Sequence, residues 1–301
     1  MADQRDTTVV VTGANSGLGL ASAEALAAHG ATVVLACRDA QRGAAALARV
    51  EAAATGAAPQ LVALDLADLE SVSAAAATLA ERVGRIDVLM ANAGVMAPPL
   101  RRTAQDHELQ FGTNHLGHFA FTMRLLPLLL AAPDPRVVVT SSSMHRIGRM
   151  RWDDLDWHHG YQRWPAYGMS KLANLLFTFE LDRRARAARS ALRAMAAHPG
   201  YASTHLQAAG PEMAGRSFEA KLMGLGNRLF AQSAADGALP QLYAATEPDL
   251  PGGTYYGPDG IAESRGRPRL VQASRAALDT SSWARLWTVS EELTGTTDTW
   301  T

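Results

Sequence analysis

The chain has 301 residues, 48% of them hydrophobic, and a formal net charge of −1. That length and apolar content suffice for one large buried core. The balanced charge excludes a general attraction to nucleic acid or an anionic membrane and leaves a small molecule as the expected partner. Cys37 is the only cysteine, which excludes an intrachain disulfide and a thiolate metal cluster and suits a reducing cytoplasm. The opening residues lack a signal-peptide pattern, and no apolar run reaches the roughly 18–20 residues of a membrane span, so no integral membrane association is expected.

Residues 7–12 are β-branched and apolar, which predicts a strand buried on both faces. They lead into Thr12-Gly-Ala-Asn-Ser-Gly-Leu-Gly19 and an alanine-rich helix. In such a unit Gly13, Gly17 and Gly19 let the backbone close on a pyrophosphate, and Asn15, Ser16 and Leu18 complete the loop at the helix N-terminus that attracts it. A plain glycine turn is the alternative.

A second strand at 31–36 precedes Cys37, Arg38 and Asp39, where a dinucleotide fold reads the adenosine ribose. With neutral Cys37 in place of an acid, and Arg38 helped by Arg42 one turn on, the pattern selects the 2′-phosphate of NADP over NAD. A solvated arginine is the other reading.

A helix to Ala54, a strand at 60–64, a helix to Val83 and a strand at 86–90 continue the alternation. Asp65, followed by Leu66, is placed either to accept from an adenine amino group or to cap the next helix. Asn92-Ala93-Gly94 follows a strand's carboxyl end, where open α/β sheets hold ligands, or forms a simple turn. A helical pattern from about 103 to 131 carries Asn114, an amide in an apolar helix that needs a partner and could hold a backbone kink or an ordered water. His115 and His118 lack a third ligand, so no metal site is expected.

Residues 136–143 form a strand ending in Ser141, Ser142 and Ser143, whose side chains alternate faces, so not all three address one ligand. The aromatic stretch 144–164 reads as a pocket rim or surface cover. The helix after it sets Tyr167 and Lys171 one turn apart on one face. A neighbouring ammonium lowers a phenol's pKa, which makes Tyr167 a candidate general acid/base, against the plain reading of a helix-surface pair. A strand at 192–198 closes with Pro199-Gly200 and then Thr204. Residues 204–230 break the alternation as an insertion that serves as a lid, core packing, a subunit contact or a peripheral membrane contact. A helix at 233–245, a short strand at 254–256 and a helix at 282–293 complete one domain, 1–301.

Taken in order and spacing, the glycine turn, Asn92-Ala-Gly94, Asn114, the strand-end serine, Tyr167-x-x-x-Lys171 and Pro199-Gly200 resemble the short-chain dehydrogenase/reductase family over nearly the whole chain. Ala-Cys-Arg38-Asp, residues 142–147, Tyr-Gly-Met-Ser-Lys-Leu-Ala-Asn-Leu-Leu-Phe177-Thr and Ala284-Arg-Leu-Trp-Thr-Val-Ser290 resemble its retinol-dehydrogenase-like branch. The resemblance implies an α/β, doubly wound Rossmann fold with a central parallel sheet of about seven strands flanked by helices on both faces. It implies NADP-dependent hydride transfer between nicotinamide and an apolar aldehyde, ketone or alcohol.

Residue by residue, the resemblance makes Tyr167 the proton donor in reduction and Lys171 both its pKa modulator and a ligand of the nicotinamide ribose. Ser142 would hydrogen-bond the substrate oxygen. Asn114 would hold a water linking Lys171 to solvent, and Thr204 with Gly200 would meet the carboxamide. A cytoplasmic carbonyl reductase, with a homo-oligomer allowed, is the expected form. Two other readings stand beside it: a nucleotide-sugar epimerase or dehydratase, which would consume no net NADP, and a non-catalytic NADP-sensing protein.

Overall fold

The computed structural model describes residues 1–201, 232–297 and 299–300. Its first half runs β1 (Thr8–Thr12), α1 (Gly17–Ala28), β2 (Thr32–Cys37), α2 (Ala40–Ala53), β3 (Gln60–Ala63), α3 (Leu69–Arg82), β4 (Val88–Ala91), α4 (Leu109–Phe111) and α5 (Gly117–Leu130). The second half gives β5 (Arg136–Thr140), α6 (Arg163–Ala187), β6 (Arg193–Ala197), α7 (Ala234–Thr246), β7 (Thr254–Pro258), β8 (Pro268–Leu270) and α8 (Thr280–Thr294). A π-helical turn, Gly112–Leu116, joins α4 to α5.

The strands make one sheet in the order β3-β2-β1-β4-β5-β6-β7-β8. All neighbours from β3 to β7 are parallel, and β8 lies antiparallel on the β7 edge. Side chains alternate across the sheet, so Val9, Val11, Val33 and Leu35 pack with α1, α2 and α7, whereas Val10 and Val34 pack with α3 and α5. Apolar strands with both faces covered are what a parallel sheet requires. The strand order reverses between β1 and β4, with Val9 opposite Val33 on one side and Val88 on the other. At such a reversal the chain leaves adjacent carboxyl ends in opposite directions, opening a crevice. Trp287 of α8 ties the last helix to this body: it stacks on Phe177 at 5.9 Å between ring centroids and meets Phe119 edge-on at 5.1 Å.

The expected parallel sheet of about seven strands runs from β3 to β7, and an eighth, Pro268–Leu270, is added at its edge; it lacks an apolar alternation, and proline at its start suits an edge strand. Other expectations change. The helical pattern expected from about 103 begins at Leu109, because Asp106 takes a left-handed φ of 65° and the Glu108 side chain caps the next turn by accepting from the Phe111 N–H. Asp65 is not a helix cap: that position belongs to Asp68, whose side chain accepts from the Glu70 N–H at 3.0 Å. The expected lid at 204–230 and Thr204 lie outside the described residues.

Candidate active site

The crevice between the carboxyl ends of β1 and β4 is the floor of a cavity of about 400 Å³. Gly13, Asn15, Ser16, Gly17 and Leu18 line one end, and Ser142, Tyr167, Lys171, Pro199 and Gly200 line the other, with Asn92, Ala93 and Gly94 between them. Gly13 and Gly17 take φ of 66° and 53°, open to glycine at little cost. A Cβ on Gly19 would stand 2.5 Å from the Gly13 carbonyl oxygen and 2.6 Å from Asn92 Nδ2, so only glycine lets the helix start this close to the turn. Ser16 makes no side-chain cap and α1 has no acid in its first turn, which leaves N–H groups for an anion. Buried Asn92 Oδ1 also has no hydrogen-bond partner. A glycine cradle, a helix N-terminus and a free buried acceptor fit a dinucleotide.

Behind the cradle, Thr12 Oγ1 ties β1 to β4 by accepting the N–H groups of Asn92 and Ala93, both at 3.0 Å. His118 Nδ1 lies 3.0 Å from the Asn114 carbonyl oxygen and must donate there, so Nε2 accepts the Thr12 hydroxyl at 2.9 Å. Burial lowers the His118 pKa to about 4, and the ring stays neutral. His115 turns to a separate partner, Ser290 Oγ, at 2.7 Å.

Asn114 sits in the π turn with its side chain fully engaged. Oδ1 accepts the Val95 N–H at 2.7 Å, and Nδ2 donates to the Val95 carbonyl at 3.0 Å and to Ser170 Oγ at 2.9 Å. It therefore clasps the loop after β4 to α6 through the irregular helical turn. Its backbone carbonyl accepts from His118 Nδ1–H at 3.0 Å and keeps a second lone pair.

Lys171 Nζ donates to the Thr140 carbonyl at 3.0 Å and lies 5.8 Å from the centre of the Tyr167 ring. Burial lowers its pKa to about 8. Burial also raises Tyr167 to about 12, and the hydrogen bond from Ser142 offsets part of that rise. In place of the expected depression by the ammonium, desolvation sets the direction of the shift. Of the three serines, Ser141 is spent on the Lys171 carbonyl at 2.8 Å, Ser142 lines the cavity with Tyr167 and caps the Met144 N–H at 3.2 Å, and Ser143 is exposed. The strand expected to reach residue 143 ends at Thr140, so the three serines lie past it and are separated by the helical turn Ser143–Arg146, which Ser142 caps, rather than by strand alternation.

The residues expected at the adenosine ribose and adenine stand beyond the cavity lining. Arg38 is exposed, with Nη1 3.8 Å from Asp65 Oδ2. Arg42 pairs with Asp39 at 3.1 Å, and Asp65 folds its other oxygen onto the Ala67 N–H at 2.9 Å. Leu66 is buried against α5. Cys37 is a buried thiol raised to about 11 by burial, with the Ala14 and Asn15 N–H groups opposing the rise. Val95, Met96 and Tyr201, which the sequence did not flag, complete the walls together with Met144 and Trp164 from the stretch read as a pocket rim or surface cover; Trp164 is edge-on to Tyr167 at 6.4 Å between centroids. Thr12 and His118 were legible only as unpaired polar groups in apolar elements. Among the described residues no helix is long and apolar enough to cross a membrane.

A family model described as short chain dehydrogenase matches residues 7–214. Mouse retinol dehydrogenase 14 is 38% identical over 300 residues, covering 96% of this chain and 86% of the relative. Human retinol dehydrogenase 13 is 37% identical, covering 96% of this chain and 84% of the relative. Among solved structures, an uncharacterized protein from Mycobacterium paratuberculosis is 43% identical with a TM-score of 0.80, over 98% of this chain and 96% of its own. A short chain dehydrogenase from Shigella flexneri 2a complexed with NADP is 25% identical with a TM-score of 0.65, over 84% of this chain and 97% of its own.

Proposed function

The chain belongs to the short-chain dehydrogenase family, and from that membership we propose that it reduces apolar aldehydes and ketones with NADPH, Tyr167 giving the proton. The reaction class follows from the family and its retinol-dehydrogenase-like relatives: an NAD(P)-dependent oxidoreductase acting on an alcohol or carbonyl group. The observation that carries the finer reading is that Ser142, Tyr167 and Lys171 line the same cavity as the glycine turn.

When bound, the nicotinamide supplies or takes the hydride. Gly13, Asn15, Ser16, Gly17, Leu18 and Gly19 would hold the pyrophosphate, and Asn92, Ala93 and Gly94 the middle of the cofactor. Lys171 would bind the ribose, with Pro199 and Gly200 at the nicotinamide end. A carbonyl oxygen placed against Ser142 and Tyr167 accepts a hydrogen bond from Ser142 as negative charge grows on it. Tyr167, protonated at neutral pH and made a weaker acid by its burial, then gives that oxygen its proton. The Lys171 cation over the ring favours the phenolate as it forms. Met96, Met144, Val95 and Trp164 offer apolar wall rather than charge, which supports a lipophilic substrate.

The preference for NADPH rests on Arg38 and Arg42 beside a β2 end that offers Cys37 in place of an acid. A screen of aldehydes and ketones of graded chain length against NADPH consumption identifies the substrate. Tyr167→Phe should abolish turnover of each accepted carbonyl and leave NADPH binding within about threefold, the loss belonging to proton transfer alone. Normal turnover by that variant would sink the mechanism.

A further inference from the structure

His198 follows β6 and is buried beneath the Pro199-Gly200 turn. Its Nδ1 accepts the Gly200 N–H at 3.2 Å, which assigns the proton of the neutral ring to Nε2. Nε2 lies 3.2 Å from Glu263 Oε2; the contact is bent, and no aligned hydrogen bond competes for that nitrogen. Glu263 is itself gripped by Arg146, whose Nη2 donates to both carboxylate oxygens at 3.1 and 3.2 Å and to the Gln272 carbonyl at 3.1 Å.

Space is cleared for this arrangement. A Cβ on Gly257 would overlap His198 Nε2. Ala262 and Glu263 hold left-handed φ of 53° and 55°, uncommon for side chains other than glycine, in the turn that aims the carboxylate at the imidazole. The same turn holds its neighbours, since Ser264 O accepts the Tyr201 N–H at 2.7 Å.

We propose that Glu263, fixed by Arg146, is a positioning residue that acts through His198 on the Gly200 turn, and so sets cofactor affinity at the end of the cavity nearest Tyr167. This rests on the reading that the cavity holds a nicotinamide dinucleotide. The logic is that of a carboxylate orienting an imidazole, with a backbone amide in place of a reacting atom. An imidazole free to turn, or to take the other tautomer, would present a donor to the Gly200 N–H and repel it. The groups facing His198 are Glu263, His145, Arg146 and the Tyr255 ring, 5.2 Å away between centroids; burial keeps the imidazole neutral against the pull of Glu263.

The test is calorimetric titration of the full chain with NADP⁺, for the wild type, Glu263→Ala and Glu263→Gln, each also in a His198→Asn background. Asparagine keeps an acceptor where Nδ1 sits and loses the reach to Glu263. Glu263→Ala should weaken NADP⁺ about tenfold, and Glu263→Gln should recover most of the loss because its amide oxygen keeps an acceptor facing Nε2–H. In the His198→Asn background Glu263→Ala should change affinity less than about twofold, the mark of coupling through His198. Unchanged affinity in Glu263→Ala, or the same loss in both backgrounds, overturns this role alone. A wild-type chain that binds neither NADP⁺ nor NAD⁺ overturns the cofactor reading and this role with it.

Discussion

Lys171 carries its charge into a buried corner and bonds it to a carbonyl rather than a carboxylate, which is why its pKa falls from 10.5 to about 8. Below pH 8 the folded state bears the full cost of that charge. Between there and the ordinary lysine value the folded state sheds its proton first, the unfolded chain holds more, and stability rises with pH. The cost is roughly 3 kcal/mol from the size of the shift. Lys171→Met should therefore raise stability at pH 7 by up to about that amount while abolishing turnover, with the gain fading as pH climbs through the window; melts at pH 7 and pH 10 measure it. At the other end of the site, Arg38→Ala should weaken NADPH at least about tenfold more than NADH, the worth of one charge-assisted phosphate contact, in paired titrations. Equal losses would refute that contact. The spacing of Tyr167 and Lys171 was legible in the sequence because helix geometry is local. The upward shift of Tyr167 was not, since desolvation depends on what the rest of the chain packs around the ring.

The π turn at Gly112–Leu116 is where one irregular element serves a regular fold. By widening the helix it brings Asn114 to both backbone groups of Val95 and to Ser170, joining α5, the loop after β4 and α6. Asn114→Ala strands the Val95 N–H and carbonyl, and should destabilise the protein by roughly 2–4 kcal/mol in denaturant unfolding, with a loss of turnover larger than the loss of cofactor binding. An amide inside an apolar helix signalled a partner and a kink; which partner depended on α6 and the loop after β4 meeting beside it, a long-range fact. Thr12 and His118 were hidden for the same reason, one at a strand end and one on a helix, meeting only in the folded chain. The glycine turn and the succession of strands along the chain up to β7 were readable because each strand–helix unit carries its own signal. The short β8, paired antiparallel through three residues, carries almost none.

For the molecule as a whole, α8 is the closing element. Trp287 is buried between Phe119 of α5 and Phe177 of α6, with the Arg184 guanidinium 4.4 Å from its ring centre. Trp287→Ala should cost about 3–5 kcal/mol. If residues 1–301 are one domain, as we propose, calorimetry should show that loss as a downward shift of one cooperative transition rather than the melting of a separate part. The strand order also sets a sequence of assembly. β3, β2, β1 and β4 all lie within the first 91 residues, so the glycine cradle has its complete strand framework before the chain reaches β5. Every pair among these described strands spans a helix or more, the kind of distant pairing that slows folding. A nascent chain of that length would offer an anion site with no proton donor, and an open β4 edge of Val88–Ala91 waiting for Arg136–Thr140.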